Sequence, residues 1–241
     1  TVDGPVFINP KHYTIYGGQV TGLTVRNIKS FSNWGWSDGI DLMSCSDVSI
    51  DDIFMRNSDD CIAIYGHRWE AYGNVRNIQI KNSTLWADIA HPINIGLHGN
   101  AEADGDTIEH ITFSNIDILE HDEDDRNCQG CMAICPSDNN LVRNITFDNI
   151  RVENFQEGQL FNIRVLNDKK YSKAPGRGIE NILFKNIQYN GKGANPSIIY
   201  GYDNERRVKN ITFENVRING KFIKNAADGD IKIGEHTVDI K

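Results

Sequence analysis

Residues 111–116 read ITFSNI, residues 145–150 read ITFDNI and residues 211–216 read ITFENV. The shared pattern is apolar–x–apolar–x–Asn/Asp–apolar, and it recurs as LTVRNI at 23–28, VSIDDI at 48–53, IQIKNS at 78–83 and ILFKNI at 182–187. Successive copies start 25, 30, 33, 34, 37 and 29 residues apart, and only IQIKNS breaks the last apolar position, with Ser83. Within each copy apolar and polar side chains alternate, and β-branched or aromatic residues occupy the apolar sites. That is the period-two signature of a strand. Self-similarity at this spacing indicates stacked repeats. Ankyrin-type and tetratricopeptide repeats share the spacing but need two helices each, and helix-period stripes are weak here. Leucine-rich repeats need recurring leucines, whereas Ile, Phe and Asn hold the fixed positions in this chain.

A coil of this length with several short strands is the parallel β-helix solution. The fold expected is therefore all-β, a parallel β-helix of about seven coils or more, forming a single domain over residues 1–241. Coils stack at the strand spacing of ~4.8 Å and bury Ile and Phe in one continuous cylinder. The fifth-position residues Asn27, Asn82, Asn115, Asn149, Asn186 and Asn215, with Asp52 once, are expected to form an inter-coil ladder. Their side chains would satisfy turn backbone groups otherwise buried without partners. The unequal intervals locate insertions at 66–74, 97–106, 120–127 and 167–178. In a solenoid such insertions gather on one face and wall a groove. Stacking begins almost at the first residue with no evident cap, and solenoids need capped ends. Earlier coils, or a partner chain covering the N-terminal end, are therefore expected.

Composition restricts function. The 241 residues are 39% hydrophobic and 24% charged, sufficient for a sizeable core. No apolar run approaches the ~20 residues that span a bilayer, so no membrane insertion is expected. The opening TVDGPVFINP lacks the features of a signal peptide. A net charge of −8 repels nucleic acid, and the short basic run RRVK at 206–209 has Glu205 beside it. Cys128, Cys131 and Cys135 are spaced C-x2-C-x3-C, but zinc needs four ligands and only His121 lies near. Small buried or paired residues in coil packing are the expectation, with no metal and no cofactor.

Chemistry enters through the acids. Residues at equal offsets in successive coils stand above one another. Counted from the start of each repeat, Asp38 lies at offset 15, Asp59 and Asp60 at 11 and 12, and His91 at 13. One face of three neighbouring coils should therefore hold all four, with the carboxyls roughly 5–10 Å apart. Glycosidic cleavage requires such a pair: one carboxylic acid to protonate the leaving oxygen and one carboxylate to activate water. Like charges at close range raise one pKa, which makes the division possible.

The segment WSDGIDLMSCSDVSIDDIFMRNSDDCIAIYG at 36–66 resembles glycoside hydrolase family 28, the polygalacturonase family. That family carries Asn-Thr-Asp-Gly-Ile-Asp, Ser-Cys-x-Asn-Val and Asp-Asp-Cys-Ile-Ala segments. Here they read Ser37-Asp38-Gly39-Ile40-Asp41, Ser44-Cys45-Ser46-Asp47-Val48 and Asp59-Asp60-Cys61-Ile62-Ala63. The resemblance implies a right-handed parallel β-helix, inverting hydrolysis without a cofactor, Asp59 as general acid, and Asp38 with Asp60 holding the water. His91, in HPINIG, is similar to the family's site histidine, though Pro92 stands where the family has glycine.

The family's Arg-Ile-Lys segment, which grips a substrate carboxylate, is replaced here by CMAIC at 131–135. Arg164, in NIRVL one coil later, is the nearest alternative, and Arg68, in the 66–74 insertion, is a further candidate for contact with the substrate. A uronate needs a cation, preferably a forked guanidinium, so a neutral or differently substituted glycan competes with galacturonan as substrate. Trp36 and Trp69 offer flat faces suited to sugar rings. The expected partner is a polysaccharide or oligosaccharide, met outside the cytoplasm, in a secreted or periplasmic setting. Two other readings fit the same scaffold: a calcium-dependent polysaccharide lyase, and a non-catalytic glycan-binding β-helix.

Overall fold

A computed structural model describes residues 1–127 and 129–241. Cys128, part of the cysteine cluster considered above, lies outside the described residues. Each repeat forms a long strand, and successive copies lie side by side in one parallel sheet. The order is Thr24–Phe31, Ser46–Asn57, Val75–Ala87, Thr107–Glu120, Leu141–Val152, Gly178–Tyr189, Val208–Glu214 and Thr237–Ile240. A second parallel sheet of short strands runs in the same order: Ile15–Gly18, Ile40–Met43, Ile62–Tyr65, Ile93–Ile95, Met132–Ile134, Phe161–Arg164, Ser197–Tyr200 and Ile231–Ile233. One coil is a long strand plus a short one, and the result is the right-handed parallel β-helix expected.

The register shows why the repeat is spaced as it is. Ile111 pairs with Ile78 and Ile145, and Phe147 pairs with Phe113 and Phe184, so like residues stack on like. The rings of Phe113, Phe147, Phe184 and Phe213 form a column with centroids 4.8, 4.9 and 5.1 Å apart and interplanar angles of 5°, 6° and 10°. That step matches the strand spacing, so each ring packs on the next without a gap.

The repeat asparagines take positive φ, Asn27 at 52°, Asn115 at 56° and Asn149 at 60°, which is how each long strand turns a corner. Asparagine tolerates this left-handed conformation better than most residues. The ladder is present, but its rungs run from side chain to side chain. Asn115 donates to Asn82 at 2.8 Å, Asn149 to Asn115 at 3.3 Å, and Asn215 to Asn186 at 2.6 Å. At the first rung Asn82 donates to Asp51, not to Asp52. A second left-handed column, Asp47, Asn77, Asn144, Asn181 and Asn210, turns the preceding corner and carries its own rungs.

Alternation along the short strands sends Ile40, Leu42, Ile62, Ile64, Ile93 and Ile95 into the main core. The residues between them, Asp41, Ala63, Asn94, Ala133 and Asn162, line up in register on the outer face. Of these, Asn94 lines the groove, while Ala63 and Ala133 join a second buried cluster with Tyr65 and Leu97. The buried thiols of Cys45, Cys61 and Cys131 are all pushed up by burial, which keeps them protonated and quiet. No helix among the described residues is long and apolar enough to cross a membrane.

Candidate active site

Three loops lead into consecutive short strands and carry Asp38, then Asp59 and Asp60, then His91. The backbone staples these loops together: Gly39 N donates to Asp60 O at 2.8 Å, and Cys61 N donates to His91 O at 2.8 Å. Gly39 is needed here, because a Cβ would sit 2.2 Å from the Cys61 carbonyl oxygen. One oxygen each from Asp38, Asp59 and Asp60 lie within 4.8 Å of one another, just below the range expected from coil spacing.

Asp60 is the hub. Its Oδ1 accepts from the His91 backbone N at 3.0 Å and lies 2.7 Å from His91 Nδ1. Its Oδ2 accepts from Asn94 Nδ2 at 2.8 Å and from the Tyr65 hydroxyl at 3.3 Å. Burial works to raise the Asp60 pKa, but the His91 charge and the hydrogen bonds from His91 and Asn94 prevail and hold it below the ordinary carboxylate value. Asp59 goes the other way: burial, then the Asp60 charge, pushes it up to about 7. Burial and the charges of Asp41, Asp60 and Asp59 push Asp38 up to about 11. Adjacent carboxyls are thus driven to opposite protonation states by their surroundings, the condition for acid and base roles in one site.

Asp41 escaped the sequence reading. It is 0% exposed, and burial, then the Asp60 charge, holds its pKa well above normal. The signal was present in the sequence: Asp41 lies between the inward Ile40 and Leu42, so period-two alternation points it away from the core, on the side of the site. The Asp60 donors Tyr65 and Asn94 were missed for the same reason. His121, considered as a zinc ligand, is fully buried and has both ring nitrogens engaged. Nδ1 contacts the Ala90 carbonyl at 2.7 Å and Nε2 accepts from Gly130 N at 3.0 Å, so the proton sits on Nδ1. Burial pushes His121 down to about 3, and its ring stacks 6.0 Å from His91. It thereby props Ala90, which holds a left-handed φ of 67° immediately before His91.

The cavity above these residues measures about 500 Å³. All four insertions reach it, through Arg68 and Trp69, Leu97 and His98, Glu123 to Asp125, and Lys170 and Tyr171. Trp36 also lines it and is 78% exposed. Arg164 does not: its guanidinium donates to the Asn127 carbonyl, and its Nε is buried without a hydrogen-bond partner among the described residues. A larger hollow of about 710 Å³ follows the outer corner of the long strands past Asn77 and Asn144, but it has no paired carboxylates. Asp38, Asp59 and Asp60 could also ligate a divalent cation, since their oxygens converge.

A family model described as Glycosyl hydrolases family 28 matches residues 8–231. Exopolygalacturonase B of Aspergillus niger is 25% identical over 170 residues, covering 68% of this chain and 35% of that protein. A probable exopolygalacturonase B of Emericella nidulans is 26% identical over the same length. The chain therefore spans about a third of the length of these relatives. Among solved structures, the endo-xylogalacturonan hydrolase of Aspergillus tubingensis superposes with a TM-score of 0.58 at 18% identity, covering 98% of this chain and 65% of that one. The family 28 exopolygalacturonase of Yersinia enterocolitica gives 0.56 at 14% identity, covering 98% and 44%. At these identities the superpositions establish the fold.

Proposed function

The chain belongs to glycosyl hydrolase family 28, and on that premise we propose that it hydrolyses glycosidic bonds of a pectin-like polysaccharide outside the cytoplasm, with Asp59 as acid. The observation that carries this is the convergence of three carboxyls within 4.8 Å under opposed electrostatic influences. Asp59, pushed up to about 7, keeps a proton in mildly acidic solution and can deliver it to the leaving oxygen. Asp60 keeps its negative charge and receives the proton of the attacking water. Its Oδ2 is the receiving atom, because the 3.3 Å bond from Tyr65 is the weakest of the bonds it accepts. Asp38, carrying its own proton, orients that water. His91 acts through Asp60, and Trp36 and Trp69 present ring faces for the sugar chain.

Inverting glycosidases ordinarily separate acid and base by ~6.5–9.5 Å to leave room for water, whereas retaining ones use ~5–5.5 Å. The compact triad therefore puts the water beside the carboxyls, on the Asp38–Asp60 side, rather than between them. Proton NMR of the first product anomer decides the matter: an inverted anomer supports the water route, and a retained one replaces it with a covalent intermediate. Reducing-sugar release from pectic and neutral polysaccharides, with Asp59→Asn as control, tests hydrolysis itself. No release from any glycan, or equal release by the variant, refutes it. Unsaturated products abolished by chelator would instead identify a calcium-dependent lyase.

A further inference from the structure

The cations of the cavity are unevenly placed. Arg68 and Trp69 lean back toward the first coil. Trp69 stacks on Tyr13 with centroids 5.8 Å apart at 23° and lies 5.6 Å from Tyr16. The Arg68 guanidinium sits 4.7 Å from the Trp69 ring centroid, 5.7 Å from that of Tyr13 and 5.5 Å from that of Tyr65. Among the described residues it makes no ion pair and no side-chain hydrogen bond; its backbone is engaged with Ala71, and its charge acts on the buried Asp38 and Asp41 carboxyls, lowering their pKa against the effect of burial. A planar fork of five N–H donors is thus held by rings on several sides and left with its hydrogen-bonding capacity unspent. Trp69 is 50% exposed, so part of its side chain still meets solvent beside the fork.

The opposite end is acidic. Glu123, Asp124 and Asp125 line the cavity there, and Glu123 N reaches onward to the Glu157 carbonyl of the next coil at 2.9 Å. Beneath them Met132, Ala133 and Ile134 are fully buried and bring no charge, and Arg164 is turned away onto Asn127. The other cation of the cavity, Lys170, lies over the Tyr171 ring at 4.6 Å on the 167–178 insertion.

We propose that Arg68, boxed by Tyr13, Tyr65 and Trp69, anchors the carboxylate of a uronic acid residue, and that Glu123, Asp124 and Asp125 confine the far end to a sugar without one. This rests on the glycan-hydrolase reading and narrows it. The preferred substrate is a chain in which a uronic acid is joined to a neutral sugar across the scissile bond, rather than an unbroken run of uronates. A bidentate guanidinium–carboxylate pair supplies attraction at one end. Like-charge juxtaposition supplies rejection at the other.

Binding is measured first, in the Asp59→Asn background so that no polymer is cut. Affinity electrophoresis compares gels containing polygalacturonate with gels containing the same polymer after carboxyl reduction. Arg68→Met should weaken retention by polygalacturonate at least tenfold and change retention by the reduced polymer less than twofold. Arg68→Lys should recover part of the loss, and thermal melting verifies that each variant is folded. Equal loss on both polymers, a loss that follows Lys170→Met instead, or no retention by either polymer overturns the anchor.

Turnover is measured second, in the otherwise wild-type chain. The triple variant Glu123→Gln, Asp124→Asn, Asp125→Asn should raise kcat/KM on the homopolymer at least tenfold relative to an alternating uronate–neutral polymer. An unchanged ratio overturns the rejection half. Carboxylate-dependent binding without cleavage of any glycan would sink the hydrolase and keep the anchor. Cleavage without carboxylate dependence would do the reverse.

Discussion

Replacing Asp59 by Asn should stabilise the fold at neutral pH while abolishing turnover, and the size of the gain follows from the site. Asp59 has its pKa lifted from 3.8 to about 7, first by burial and then by the Asp60 charge. A folded-state value above the unfolded one means that the native state binds the proton more tightly. Stability therefore falls as pH rises from about 4 to about 7. At 1.36 kcal/mol per pH unit the full cost is about 4 kcal/mol. Asp59 is only partly covered, and solvent screening reduces that figure to about 1–3 kcal/mol. Asn keeps the short contact in which Asp59 Oδ1 accepts from Asp60 N at 2.9 Å, so little else is lost. Urea unfolding of both proteins at pH 4 and pH 8 gives the test. The variant should exceed the wild type by about 1–3 kcal/mol at pH 8 and match it within about 0.5 kcal/mol at pH 4. A difference that does not change with pH, or a variant less stable at pH 8, would refute the electrostatic account of Asp59.

The pH profile of kcat/KM should fall on the alkaline side near pH 7 as Asp59 loses its proton, and on the acid side below the ordinary Asp value, where Asp60 gains one. His91→Ala removes the Nδ1 contact that holds Asp60 ionised, so the acid limb should move upward and the rate drop, by up to the ~10²–10⁴-fold that acid–base assistance contributes. Asn115→Ala breaks the rungs to Asn82 and Asn149 and forces alanine into φ 56°. It should cost about 2–3 kcal/mol in urea unfolding, with Asn115→Gly recovering about 1 kcal/mol. Phe147→Ala opens the middle of the ring column between Phe113 and Phe184 and should lower stability by about 3–5 kcal/mol, read by thermal or urea unfolding.

The repeat alone determined the architecture. A period-two strand returning seven times has to bury its Ile and Phe face against its own copies, because no single coil can close a core. For the same reason the offsets of Asp38, Asp59, Asp60 and His91 sufficed to place them on adjacent coils, and the unequal intervals located the groove walls. Other features needed the fold. Insertions of unequal length move a side chain by several ångströms, so the 4.8 Å triad, the engaged Asp60 and the lifted Asp59 follow from covering loops and not from offsets. Alternation along Ile40–Met43 turns Asp41 away from the core, but only burial by remote residues gives it a shifted pKa. The arginines separate likewise. Arg164 and Arg68 are both substrate-binding candidates as letters, yet one is spent on the Asn127 carbonyl and the other is caged by the rings of Tyr13, Tyr65 and Trp69. Periodicity is a local property and survives in sequence. Burial, charge partners and the engagement of donors depend on residues remote in the chain, and only the tertiary structure decides them.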